Sequence, residues 1–267
     1  MPSLTIDGYP LSYAEAGSGP PLLMIHGTLG DQRSWGGQME AFGAGHHAMA
    51  VSLRHCWPGT WEDGGNFTID RHTADIAGFI TALGEGPVRL IGHSRGGHIA
   101  FRVAQHHPEL IESLVLLEPG GELDASFGGA PPAGKQASVF AKAAGLIGEG
   151  KVEEGLAVFA EHTGGPGAWA KRSEARKAVN RANARTLLGQ QNEQRKPYSR
   201  TEAEGIRIRT LLAGGDQSQP QFGVILDALE AAMPNATRVT IPKAAHSVQA
   251  DNPAAFNAAV LDFLEMR

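Results

Sequence analysis

The sequence predicts an α/β protein with a mainly parallel sheet, interrupted late in the chain by a helical insertion. Short apolar runs alternate with helical patterns over residues 1–118, and the same alternation resumes only after about residue 201. Size and composition set the scale. At 267 residues, 42% hydrophobic and 19% charged, the chain has material for one sizeable core with a smaller appendage, and its composition is that of a globular protein.

The elements follow in order. Segments 4–6 and 11–14 read as an antiparallel hairpin at the sheet's edge. Segments 22–25, 48–53, 88–91 and 114–117 are near-continuous apolar runs, as strands covered on both faces require. Between the second and third of these, Ile69, Thr73, Ile76, Ile80 and Leu83 recur at 4-3-4-3 spacing, which puts one helix face against the sheet. From 120 to 201 the strand signal stops and Ala, Lys, Arg and Glu dominate, with Gly/Pro breaks near 130–134 and 164–167. Inside that stretch Lys171, Arg172, Arg176, Lys177, Arg181 and Arg185 form a basic cluster, read as a solvated helix face in preference to an anion site. Strand patterns return at 206–213 and 237–241, each followed by a helix, the last opening at Asn252-Pro253 with proline in its first turn. The expected plan is core 1–119, helical insertion 120–201, core 202–267.

Two short stretches carry chemistry. Gly92-His93-Ser94-Arg95-Gly96 joins the strand at 88–91 to a helical pattern at Ile99, Ala100 and Val103. A serine on such a turn needs small residues at minus two and plus two, where side chains collide with strand and helix. As a bare pattern the match is weak; its placement between strand and helix makes it specific. His26-Gly27-Thr28-Leu29-Gly30 follows the strand at 22–25 in the same way.

These stretches resemble the nucleophile turn and the oxyanion loop of the α/β-hydrolase family. The resemblance covers nearly the whole chain, least specifically over the insertion. It implies an eight-stranded, mostly parallel sheet with a helical cap after strand 6, and Ser94 as nucleophile. It also implies that the backbone N–H groups of Thr28 and Arg95 point at the developing oxyanion, where losing one donor costs about 2.7–4 kcal/mol of barrier. His26 itself reads as a buried, hydrogen-bonded loop residue. Among eleven histidines, His246 in Lys243-Ala244-Ala245-His246 follows a strand and matches the family's base position. Serine needs such an imidazole to take its proton and hand it to the leaving group. The remaining histidines show no metal-ligand spacing, so neither a metal nor an organic cofactor is expected.

The acid is less settled. In the family's usual pattern a Gly-x-x-Asp ends the strand at 206–213, and aligning Gly215 puts Ser218 where that aspartate belongs. Glu118, at the end of the strand 114–117, where some members of the family place this acid, is preferred for orienting the imidazole; Asp216 is the alternative, and a residue not singled out stays open. A second departure is 52–59, where the family commonly has aspartate followed by glycines; His55 and Trp57 in it are candidates for lining the substrate pocket, with a packed loop as the plainer reading.

Exclusions narrow the function. A net charge of −5 with mixed signs offers no field for nucleic acid. The single Cys56 forms no intrachain disulfide, and neither a signal-like start nor a run of about 18 apolar residues occurs, so no membrane contact and a cytoplasmic monomer or homodimer are expected. The expected activity is hydrolysis of a small carboxylic ester or lactone. Alternatives are carbon–carbon hydrolysis of a diketone by the same residues, and a ligand-binding receptor that hydrolyses slowly or not at all. Haloalkane dehalogenase or epoxide hydrolase chemistry of the family's usual kind needs a carboxylate nucleophile, which Ser94 does not supply.

Overall fold

In the computed structural model eight strands make one sheet: β1 (Ser3–Ile6), β2 (Tyr9–Ala16), β3 (Pro21–Ile25), β4 (His47–Val51), β5 (Val88–His93), β6 (Ile111–Leu117), β7 (Thr210–Gly215) and β8 (Ala236–Ile241). The structure describes residues 1–61, 67–128, 135–191, 193 and 195–266, with the side chains of 135–137 outside the description. The expected break at 130–134 lies outside the described residues. The strands lie in the order β1-β2-β4-β3-β5-β6-β7-β8; pairings that involve β2 are antiparallel and all others are parallel.

Strand side chains divide by period two between two apolar layers. Leu23, Ile25, Met49, Val51, Leu90, Leu114 and Leu116 enter one layer, while Leu22, Met24, Ala48, Ala50, Ile91, Val115 and Leu117 enter the other. Both faces are therefore dry, which is why the central strands read as unbroken apolar runs. Helices cover each face: α1 (Gly36–Gly43) on one, α2 (Ile69–Leu83) and α3 (Arg95–His106) on the other. The α2 pattern is the one expected from spacing. Thr68 caps its first turn by accepting from the N–H of Arg71, and Gly84 ends it at φ 70°. Ile76, Phe79 and Ile80 are buried beneath it, each worth about 1.5–3 kcal/mol of apolar transfer.

Between β6 and β7 the chain forms α4 (Lys135–Gly148), α5 (Val152–Gly164), α6 (Ala168–Lys171), α7 (Glu174–Ala182), α8 (Thr186–Gln190) and α9 (Arg200–Gly205). Phe140, Ile147, Leu156, Phe159, Trp169 and Leu187 gather there into an apolar cluster of their own, joined from the core by Leu29. After β7 come α10 (Pro220–Ala232), α11 (Val248–Asp251) and α12 (Pro253–Glu265).

Three boundaries differ from expectation. The strand expected at 48–53 ends at Val51, because the chain turns at Ser52 and Leu53 gives its N–H to His26 Nε2 at 3.0 Å instead of to the ladder. The strand expected at 206–213 begins at Thr210; Ile206 is apolar because it caps α9 and packs into the core. Helix α9 spans the expected insertion boundary at 201. Among the described residues no helix is long and apolar enough to cross a membrane.

Candidate active site

Order in the sheet reverses between β3 and its neighbours β4 and β5, and at such a switch the loops leaving the carboxyl ends part to leave a crevice. Ser94 leaves β5 there. Its backbone sits at φ 53°, a conformation costly for any residue but glycine, held by its N–H on the Leu117 carbonyl (3.0 Å) and its carbonyl on Gly120 N–H (2.9 Å). The flanking glycines are sterically required: a Cβ at Gly92 would lie 2.2 Å from the Gly96 carbonyl oxygen, and one at Gly96 would lie 2.3 Å from that of Ile25.

Glu118 follows β6, also at positive φ, 41°, and is 1% exposed. His246 follows β8. Its Nδ1 lies 2.7 Å from Glu118 Oε2 and its Nε2 3.0 Å from Ser94 Oγ, so a neutral ring donates from Nδ1 to the carboxylate and accepts the serine hydroxyl at Nε2. The second carboxylate oxygen, Oε1, accepts Gly215 N–H (2.8 Å) and the Ser218 hydroxyl. The serine at the usual aspartate position thus serves the carboxylate supplied by the neighbouring strand. Asp216 does not join this chain: it is exposed and accepts the Ala244 N–H at 3.2 Å.

Neighbouring rings fix the imidazole. Phe222 stacks on it at 3.8 Å with 12° between planes, and His93 gives its Nε2 proton to the His246 carbonyl at 2.8 Å. Burial, then the nearby His246, pushes the His93 pKa well below the ordinary value, so His93 stays neutral and serves as a brace. His26 is the buried loop residue expected: Nε2 accepts from Leu53, so Nδ1 carries the proton and donates to the Gly27 carbonyl at 2.8 Å.

Thr28 and Arg95 flank Ser94, and among the described residues neither backbone N–H has a backbone acceptor. Their side chains are tied to the insertion. Gln190 Oε1 accepts from Thr28 Oγ1 (3.1 Å) and Arg95 Nη1 (3.4 Å), and Glu193 takes Arg95 in a two-pronged ion pair at 2.6 and 2.9 Å. Burial opposes ionisation of Glu193, but Arg95 and then Arg195 hold its carboxyl below the usual range. Asn180 donates to the Leu29 carbonyl (2.9 Å) and Asn183 to Asp31 (2.7 Å). None of these amide contacts has a local signature in the sequence.

Two cavities meet at Ser94. The larger, about 460 Å³, is walled by His93, His246, Arg33, Arg172 and Arg176; the smaller, about 260 Å³, by Phe140, Phe159, Phe222 and Ile225. Thr28 and Ser94 border both. His55 and Trp57, expected as pocket residues, line neither. His55 lies against Tyr9 and Trp61, while Trp57 gives its backbone N–H to Asn183 Oδ1 at 2.8 Å and lies beneath the Arg33 guanidinium at 3.9 Å. Among the described residues no group of three or more His, Cys, Asp or Glu is arranged to hold a metal ion.

A model of the alpha/beta hydrolase family matches residues 22–259. The chain belongs to that family. Within it, a stretch of 119 residues is 32% identical to the lipase LipV of Mycobacterium tuberculosis, covering 41% of each protein. A stretch of 116 residues is 32% identical to a soluble epoxide hydrolase of a Corynebacterium species, covering 42% of this chain and 39% of that protein. These matches span only about two fifths of the curated relatives. A thermophilic esterase from Thermogutta terrifontis superposes with a TM-score of 0.75 over 96% of this chain and 93% of that one, at 22% identity, a likeness of fold.

Proposed function

We propose that the protein is a serine hydrolase acting on a small carboxylic ester or lactone through an acyl-enzyme. The observation that carries this reading is the unbroken hydrogen-bond chain Ser94–His246–Glu118 at 3.0 and 2.7 Å, opening on two cavities. Ser94 Oγ attacks the carbonyl carbon as its proton passes to His246 Nε2. The oxygen's new charge is received by the N–H groups of Thr28 and Arg95. Collapse expels the alkoxide, which takes the proton from Nε2; water then repeats the cycle and releases the acid. Glu118 keeps the ring in the Nδ1–H tautomer and stabilises its cationic form. The family includes epoxide hydrolases, but Ser94 stands where that chemistry needs a carboxylate.

A fluorophosphonate probe tests the reading. Labelling at Ser94, turnover of simple aryl esters, and a loss of about 10⁴-fold or more in kcat for Ser94→Ala are expected. Folded protein that takes no label belongs instead with a ligand-binding receptor, and negligible ester turnover beside rapid cleavage of vinylogous diketones assigns it to carbon–carbon hydrolysis.

A further inference from the structure

The larger cavity is lined by three arginines and, among the described residues, by no carboxylate. Two of the three are neutralised from behind. Arg33 is bound by both oxygens of buried Asp31, at 2.9 and 2.7 Å, and Arg176 pairs with Asp251 at 2.9 Å. Arg172 differs. It stands between α6 and α7, gives one N–H to the neutral Asn180 Oδ1 at 2.6 Å, and has no acidic side chain within ion-pair distance among the described residues. Burial and then the charge of Arg176 push its pKa down to about 10, with the Asp251 carboxylate that pairs Arg176 opposing them less strongly, which still leaves a cation at neutral pH.

The guanidinium is also held in place. Asn180, which accepts from Arg172, donates in turn to the Leu29 carbonyl, so Arg172 is fixed relative to the loop that carries Thr28. A partly desolvated cation that is held by Asn180 and the Trp169 ring, borders an open cavity and has no carboxylate bound to it lacks an anionic partner, and a planar guanidinium fits a carboxylate. The second cavity has the opposite character. Phe140, Phe159, Phe222 and Ile225 line it, Arg195 there lies 3.2 Å from Glu193, and Glu122 lines it as well.

We propose that the substrate carries a carboxylate that binds Arg172 in the larger cavity, with an apolar portion in the smaller one and the scissile carbonyl at Ser94 between them. This rests on the serine-hydrolase reading. Its chemical class is the half-ester of a dicarboxylic acid or the ester of a hydroxy acid.

The test compares monomethyl succinate, glutarate and adipate with methyl esters of the matching monocarboxylic acids, and acetoxyacetate and 4-acetoxybutanoate with neutral acetates of similar size. In at least one series the anionic ester should exceed its neutral partner in kcat/KM by about ten- to hundredfold, chiefly through KM. That ratio should collapse toward one in Arg172→Gln and be partly restored in Arg172→Lys. Equal turnover of charged and neutral esters in both series, or a preference untouched by Arg172→Gln, overturns the proposal. Calorimetric titration of Ser94→Ala with the same half-esters separates the two readings. Salt-sensitive binding that is lost on adding Arg172→Gln, by a protein inert to fluorophosphonate, sinks the hydrolase reading and keeps the anion site; labelling without anion preference does the reverse.

Discussion

Ser94, Glu118 and His246 leave the carboxyl ends of β5, β6 and β8, and the parallel ladder sets their spacing. Asn180, Asn183, Gln190 and Glu193 come instead from short helices and turns of the insertion, and grip residues 98 to 162 positions away in the chain. On the sheet side, position is inherited from backbone geometry that no single side chain can undo. On the insertion side it depends on individual polar contacts, several buried, each of which leaves an unsatisfied partner when removed. The two sides should therefore fail differently: the sheet side through chemistry with the fold intact, the insertion side through stability and aim.

The largest effect is expected at the sheet edge. Glu118→Gln should lower kcat by about 10³- to 10⁴-fold, whereas Asp216→Asn, a carboxylate after the adjacent strand, should stay within about twofold, both variants melting close to wild type. Equal losses would erase the distinction between the two strand ends. Next is the buried ion pair. Arg95 and Glu193 are 1% and 4% exposed, and Glu193→Gln should cost about 3–5 kcal/mol in urea unfolding by leaving the buried Arg95 charge without a carboxylate. Arg181→Ala, on the exposed face of α7, should leave the midpoint unmoved. A smaller effect is expected from Gln190→Ala: about a tenfold drop in kcat with KM little changed, through loss of the contact that holds Thr28.

The last prediction concerns acid. His72, His93 and His98 are buried in the core, and burial first of all holds each pKa well below the ordinary 6.5. The unfolded chain takes up these protons as pH falls through 6.5 and the folded chain does not, so their stability is complete above 6.5 and is lost toward lower pH. The unfolding free energy from urea titrations should fall with a slope of up to about 1.4 kcal/mol per pH unit for each histidine. A flat profile between pH 7.5 and 5 would show that these rings are not kept neutral.

Much of the sheet side was legible in the sequence, and the reason is physical. Strands buried on both faces must be apolar throughout, and α2 must repeat its apolar residues at helical spacing, so local windows suffice. The turn around Ser94 is legible because Gly92 and Gly96 are forced by contacts within a few residues of it and with β3. Glu118 and His246 stand out only when their place after a strand is joined to the family resemblance. A loop's sequence does not say which way it folds, so nothing local tells that His55 and Trp57 lie outside both cavities, and burial of Ile206 beside a helix end leaves the same apolar trace as burial in a ladder. The amide contacts left no trace, since a side-chain bond across 150 positions imposes no local pattern. The basic cluster at 171–185 divides: Arg181 lies on an exposed face, while Arg172 and Arg176 border the larger cavity, a split that composition does not reveal.

The bonds from Asn180 to Leu29, Asn183 to Asp31 and Gln190 to Thr28 have a consequence for engineering. A chimera that grafts this insertion onto another family member's sheet would arrive without the loop its amides are cut to fit. The transplantable module is the insertion together with residues 28–31, two segments far apart in the gene that behave as a single piece of the folded protein.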